Sequence, residues 1–413
     1  MVNPKPIALY PTYQSLQHFD FCDYPQLHAS LKNGEIWWLD HWNLGREFLS
    51  YIGRNKSEHT FNRFRNETER FLQWLFLIKK QSLEQLRKTD ILDYADFCWK
   101  PPLNWICFAN SDKFNLVNGC YQQNQAWAPF KLTLPKLKPG SELAPDKKKY
   151  KPSQQTLAAS FTAIVAFYKY LNGEEILHGN PAQLAKADCK YFVKDAQVKE
   201  VRRLSQDQWQ MLFDVAVALA DQDPNYERNL FVVCALKTLF LRISELAERK
   251  NWRPQMGHFW QDSDQNWWLK IYGKGRKLRD ITVPESFLVY LKRYREYRGL
   301  SPLPSINESD AIVEKLRGRG GMTPRQLTRI VQDVLDRAYE KMRQQRGEDA
   351  AQKLREASSH WLRHTGASME VERGRALKDL SEDLGHASMA TTDTIYVQTE
   401  SRVRAKSGKS RPV

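Results

Sequence analysis

Two stretches decide how this chain is read: SSHWLRHTGAS at residues 358–368 and DLGHASMATTDTIYV at residues 383–397. The first sets His360 and Arg363 three residues apart, on one face of a helix that a serine can cap. A helix start that presents a histidine and an arginine outward is suited to a phosphate. The second supplies Gly385 as a helix stop, His386 just beyond it, and Tyr396 after a threonine-rich segment. Taken singly, these features have plainer meanings: a surface helix end and a tyrosine packed in a core.

Upstream, LFLRISEL at 239–246 puts Arg242 at the end of an apolar helix expected over about residues 226–249, which includes Val232, Val233, Leu236 and Leu239. A guanidinium there needs a partner or an anion, because an unpaired buried charge is costly. Glu245, three residues on, shares its face and can orient it. Taken alone, a purely structural Arg–Glu pair is the commoner meaning of the pattern. WWLKIYGKGRKLRDITVP at 267–284 reads as two strands around a glycine-punctuated turn, with Trp268, Leu269, Ile271, Ile281 and Val283 as strand residues. Lys274 lies in that turn, within reach of a phosphate, although a solvated charged turn is the commoner meaning of GKG. The nucleotide-binding pattern GxxxxGK followed by Ser or Thr is not met.

The ordered set is more specific than its parts. An Arg, a Lys in a β-turn, HxxR, LGH and then a Tyr resembles the catalytic half of the tyrosine recombinases, the family of phage integrases and Xer-type resolvases. The resemblance is strong over about residues 200–400 and looser over 40–185. It implies that Arg242 and Arg363 are the two catalytic arginines, Lys274 the β-hairpin lysine, His360 and His386 the two histidines, and Tyr396 the nucleophile, with Tyr339 next in line. It also implies the fold: mainly α, with a helical core-binding domain followed by a mostly α catalytic domain holding a small antiparallel β-sheet. One departure is the spacing from His386 to Tyr396, one residue longer than the family pattern, which asks for a bulge or a late helix start.

The rest of the chain agrees with a DNA-acting protein. Lys plus Arg outnumber Asp plus Glu by 63 to 48 in 413 residues, a formal net charge of +15, which favours a polyanionic partner. Its first residues do not read as a secretory signal, and its longest apolar run, Leu230 to Leu241, contains Lys237, so no membrane role and a cytoplasmic, nucleoid-associated location are expected. The six cysteines lack any CxxC pairing, so no metal site, cofactor or disulfide framework is expected. Residues 1–35 form an extension of unknown role. Residues 36–190 form the helical DNA-binding domain, with amphipathic helices from Thr60 and over Ala158–Leu171. Its segment 99–153, rich in aromatics, Asn and Pro, reads as a loop or extended insertion that ends in a Lys-rich run. A catalytic domain over 200–400 opens at a capping box of Ser205 and Gln208, a further helix opens at Thr323-Pro324, and residues 401–413 form a basic tail.

The resemblance implies cleavage and rejoining of double-stranded DNA through a 3′-phosphotyrosine link. It also implies a homotetramer on two DNA sites, helped by an accessory DNA-bending protein or a second recombinase. Two other readings stay open at this point. A tyrosine-type topoisomerase shares the chemistry but relaxes any supercoiled plasmid, and a non-catalytic DNA-binding protein keeps the fold after losing a reactive residue.

Overall fold

A computed structural model describes residues 3–133, 146–192, 202–273 and 278–386. The chain divides into two compact units, Met1–Asp195 and Ala196–Val413. Both are mainly helical, and among the described residues no helix is long and apolar enough to cross a membrane.

The first unit runs through helices α1 (Tyr13–Gln17), α2 (Pro25–Lys32), α3 (Trp38–Asn55), α4 (Glu58–Trp74), α5 (Lys88–Trp99), α6 (Gln154–Gly173) and α7 (Pro181–Asp188). Ser57 and Ser153 cap α4 and α6 through their side chains, and the apolar stripes of both helices enter one core with Trp42, Phe48 and Tyr94. The described parts of the 99–153 segment, 99–133 and 146–153, hold more regular structure than their composition suggests. They carry strands β1 (Ile106–Cys107) and β4 (Phe130–Lys131), paired in parallel, around a hairpin of β2 (Phe114–Val117) and β3 (Cys120–Gln123). Asn118 and Gly119 both take positive φ at the hairpin tip, the conformation that a tight two-residue turn requires.

The half-buried aromatics of that hairpin pack against the N-terminal extension, which supplies the apolar partner that a short hairpin lacks. Tyr24 stacks on Tyr121 and meets Phe114 edge-on. Leu9 and Tyr10 are fully buried; their backbone N–H groups donate to Glu69, which also pairs with Lys113 of the insertion. The extension and the insertion are therefore joint parts of the core of this unit.

The second unit comprises α8 (Gln206–Gln222), α9 (Glu227–Thr238), α10 (Ile243–Leu246), the antiparallel sheet β5 (Phe259–Gln261), β6 (Trp267–Tyr272) and β7 (Leu278–Val283), then α11 (Glu285–Tyr297), α12 (Pro324–Arg346), α13 (Glu348–Glu356), α14 (Ser359–Glu372) and α15 (Leu377–Leu384). Ser205 and Thr323 form the capping boxes of α8 and α12. Helix α9, buried from Glu227 to Leu236, is the central element; α8, α11, α12 and α14 pack around it.

The single helix expected over 226–249 is broken. Helix α9 stops at Thr238, Phe240 turns the chain with a left-handed φ of 50°, and Arg242 sits in extended backbone as the N-cap of α10. The side chain of Phe240 is buried with Ala367, Leu380 and Leu384, so packing holds a conformation that an aromatic residue rarely adopts. Gly366 allows α14 to approach closely: a Cβ there would lie 1.9 Å from the Lys237 carbonyl oxygen.

Candidate active site

The break after α9 builds the site. Leaving the helix at Phe240 frees that residue's carbonyl from helical bonding and brings Arg242 to the mouth of α10, where Glu245 bonds back to it. Glu245 is 1% exposed. One of its oxygens accepts from the Arg242 backbone N–H (2.8 Å) and the other from Arg242 Nη1 (2.9 Å). Arg279, on β7, spans both oxygens with Nη1 and Nη2 at 2.9 and 3.0 Å, and Arg363 Nη1 lies 3.9 Å away. Burial alone would push the Glu245 carboxyl up. The hydrogen bonds and charges of Arg279 and Arg242 outweigh it and hold the group below the usual carboxylate range.

The two expected arginines differ in setting. The Arg242 side chain is 27% exposed and can reach a ligand. Arg363 points inward, not outward as the helix-end reading had it, and is 1% exposed. It donates to the carbonyls of Phe240 and of Leu384, the latter at 2.6 Å. The reason is its position on α14, whose Arg363, Gly366 and Ala367 face packs against the α9–α10 break and α15. Ser358 occupies the N-cap of α14 without a side-chain cap bond.

His360 keeps an exposed edge on the first turn of α14, and His364 meets it edge-on at 4.5 Å. Helix α15 ends with Gly385 in the left-handed conformation. The Gly385 N–H donates to the Glu382 carbonyl and the His386 N–H to that of Ser381, the paired bonds of a Schellman stop. That stop aims His386 at the arginines. Burial first, then Arg363, Arg242 and Arg279, push its pKa down to about 4. Burial, with His360, Arg363 and His386, does the same to His364, also to about 4. His360 is lowered by its packed surroundings and by Arg363 and Arg242. At neutral pH all three imidazoles are uncharged, each with one donor and one acceptor nitrogen.

This predicts acid sensitivity. His364 and His386 titrate near 4 in the folded unit against an ordinary 6.5. Between those values the unfolded chain binds more protons, and stability falls as pH drops through the window. The lowered Glu245 acts in the same direction. The melting temperature of the second unit should decline from about pH 7 to about pH 4.5, and His364→Gln with His386→Gln should flatten the decline. Equal melting midpoints at both ends would contradict the assignment.

Four expected site residues, Arg242, His360, Arg363 and His386, converge in this cluster. Lys274 and Tyr396 lie outside the described residues, as does the segment between His386 and Tyr396; β6 and β7 pair up to Tyr272 and Leu278. Sequence reasoning missed Arg279, His364 and Asp383. Arg279 left a signal, since it occupies the inward face of β7 in alternation with Ile281 and Val283. Asp383, 3% exposed, accepts from Thr282 Oγ1 (2.6 Å) and Arg375 (2.5 Å) and ties α15 to β7.

Residues 202–402 match the phage integrase family. Among curated proteins, the chain is 26% identical over 258 residues to tyrosine recombinase XerC of Anoxybacillus flavithermus, covering 62% of this chain and 75% of that protein. It is 27% identical over 256 residues to tyrosine recombinase XerC of Thermodesulfovibrio yellowstonii, covering 60% and 72%. Among solved structures, XerH site-specific recombinase bound to a palindromic difH substrate, a post-cleavage complex, superposes with a TM-score of 0.53 at 13% identity over 98% of both chains. A lambda integrase dimer bound to a COC′ core site gives 0.51 at 12% identity, over 87% of this chain and 77% of that one. The family match, the recombinase relatives and the shared fold point the same way: residues 202–402 of this chain carry a phage integrase domain of the tyrosine recombinase type.

Proposed function

We propose that this protein is a site-specific DNA recombinase that cleaves and rejoins strands of double-stranded DNA through a covalent 3′-phosphotyrosine intermediate. The observation that carries this reading is the gathering of Arg242 and Arg363 at the buried Glu245, with His360 and His386 close enough to feel both guanidiniums. Tyr396 is the nucleophile. Its phenolate oxygen attacks phosphorus, the bond to the 5′ oxygen breaks, and the 3′ phosphate stays on the tyrosine. A 5′ hydroxyl then attacks the same phosphorus, restores the phosphodiester and releases the phenol, so the bond energy is conserved within the link.

The residues divide this work by chemistry. Arg242 offers paired donors to the non-bridging oxygens, a geometry that a lysine cannot reproduce. Arg363 supports the same charge from behind. Neutral His360 accepts the phenolic proton and returns it on rejoining, neutral His386 donates a hydrogen bond to a phosphate oxygen, and Lys274 protonates the departing 5′ oxygen. Exchange between two duplexes requires a nucleophile for every strand cut, which supports a homotetramer on two DNA sites, with a DNA-bending protein or second recombinase as helper. The test is a pair of assays with the full chain: joining of two specific sites, against relaxation of an arbitrary supercoiled plasmid. Relaxation without joining would indicate a topoisomerase.

Site binding should be strongly salt-dependent, because each neutralised phosphate adds about −0.9 to the log-log slope on B-DNA. Lys147, Lys148 and Lys149 form a short helical turn at the surface of the first unit, followed by exposed Lys151. Changing these four to Gln should flatten the slope without altering sequence preference, as expected for backbone contacts. An unaltered slope would make the run a solvated loop.

A further inference from the structure

Arg279 reaches three parts of the site while remaining covered. Its side chain is 13% exposed. Both Nη atoms bond the two oxygens of Glu245, and Nε donates to the Asp383 carbonyl at 3.1 Å. The guanidinium also lies against the left-handed turn at Gly385: a Cβ on that glycine would sit 2.9 Å from Arg279 Cδ and Nε. A side chain at position 385 would therefore displace it. A second tie runs alongside, since the Asp383 carboxylate accepts from Thr282, three residues along β7, and from Arg375.

These bonds join elements that the chain delivers separately. Glu245 presents Arg242 from the start of α10, while the Asp383–His386 segment presents His386 from the end of α15. One side chain on β7 holds both. A simple stabilising salt bridge needs no such geometry, because one contact to either partner would neutralise the charge.

We propose that Arg279 is a positioning residue for strand cleavage: it fixes the Glu245 carboxylate, and through it Arg242, in register with the turn that carries His386. This rests on the recombinase reading above. Without Arg279 the carboxylate keeps, among the described residues, the bonds from Arg242 and the more distant charge of Arg363, and the Asp383 carbonyl loses the donor that Arg279 supplies.

The test uses the full-length protein with Arg279→Met and Arg279→Lys. Affinity for the DNA site, single-turnover cleavage of a nicked substrate across pH, thermal melting and the NMR titration of His386 are measured for each. Arg279→Met should keep its affinity but cleave about a hundredfold more slowly. Its acidic limb should move to higher pH, because Glu245 and His386 both take protons more readily once a neighbouring cation is gone. Arg279→Lys, which keeps the charge and loses the fork, should recover only part of the rate. If the Met variant does not fold, the Lys variant decides by the same rate and pH comparison. Wild-type cleavage with an unmoved pH profile in a folded variant would overturn the proposal, as would parallel losses of affinity, rate and melting temperature with no change in the profile. If the wild-type chain forms no covalent adduct, the recombinase reading and the cleavage role fall together. The His386 titration then shows separately whether Arg279 holds the turn.

Discussion

Tyr396→Phe should bind its DNA site as the unaltered protein does and form no covalent complex. Loss of the phenolic oxygen removes the atom that bonds to phosphorus, and loss of a nucleophile typically costs on the order of 10⁴-fold or more in rate. Binding should survive, since phosphate contacts spread over a basic surface supply most of the affinity. The measurement is trapping on a nicked suicide substrate that cannot religate, read as a protein–DNA adduct on a denaturing gel. An adduct formed by the Phe variant would refute the assignment. Tyr339, the next candidate by sequence, is poorly suited to take over: it is 5% exposed, and its hydroxyl donates to both oxygens of Glu348 at 2.9 and 3.1 Å.

The two arginines should respond differently to the same change. Arg242→Lys keeps a cation at a partly exposed position, so melting temperature and affinity should stay close to normal. Cleavage should drop by about 10²–10³-fold, as when one preorganised donor to a developing oxyanion is lost. Arg363→Lys should lose cleavage to a similar degree and also melt earlier. Its guanidinium serves the buried carbonyls of Phe240 and Leu384 at once, and a buried acceptor left without its donor costs about 1–3 kcal/mol. Thermal melting beside single-turnover cleavage separates the two. If Arg242→Lys also melts early, its role is structural, and if Arg363→Lys melts normally, the carbonyl bonds matter less than their burial suggests.

Much of this site could be read from local pattern. The Ser205 and Thr323 caps, the Gly385 stop and the helical HxxR spacing depend on neighbours within a few residues, and the helices carry them as expected, whereas Ser358 starts α14 without a side-chain cap bond. The break at 239–242 could not be read in this way. The run from Leu230 to Leu241 has no Gly or Pro to end a helix, and what ends it is tertiary: Phe240 is held left-handed by packing against α14 and α15, with Arg363 on its carbonyl. The same holds for Arg279 and Asp383, whose partners lie 34 and about 100 residues away along the chain. The 99–153 segment was obscure for a related reason. Its hairpin aromatics pack against Tyr24, which comes from far upstream in the chain.

The sharing of Glu245 has an electrostatic consequence for selectivity between states of the reacting DNA. Three guanidiniums, from Arg242, Arg279 and Arg363, surround one carboxylate, so the pocket is charge-deficient on the negative side before any DNA arrives. A ground-state phosphodiester, carrying one negative charge, only partly makes up the deficit. The five-coordinate phosphorane formed during attack carries more and fits the imbalance better. Excess positive charge held rigid in a covered site thus favours the fleeting species over the bound substrate, which is the condition for accelerating a reaction and not merely gripping its reactant.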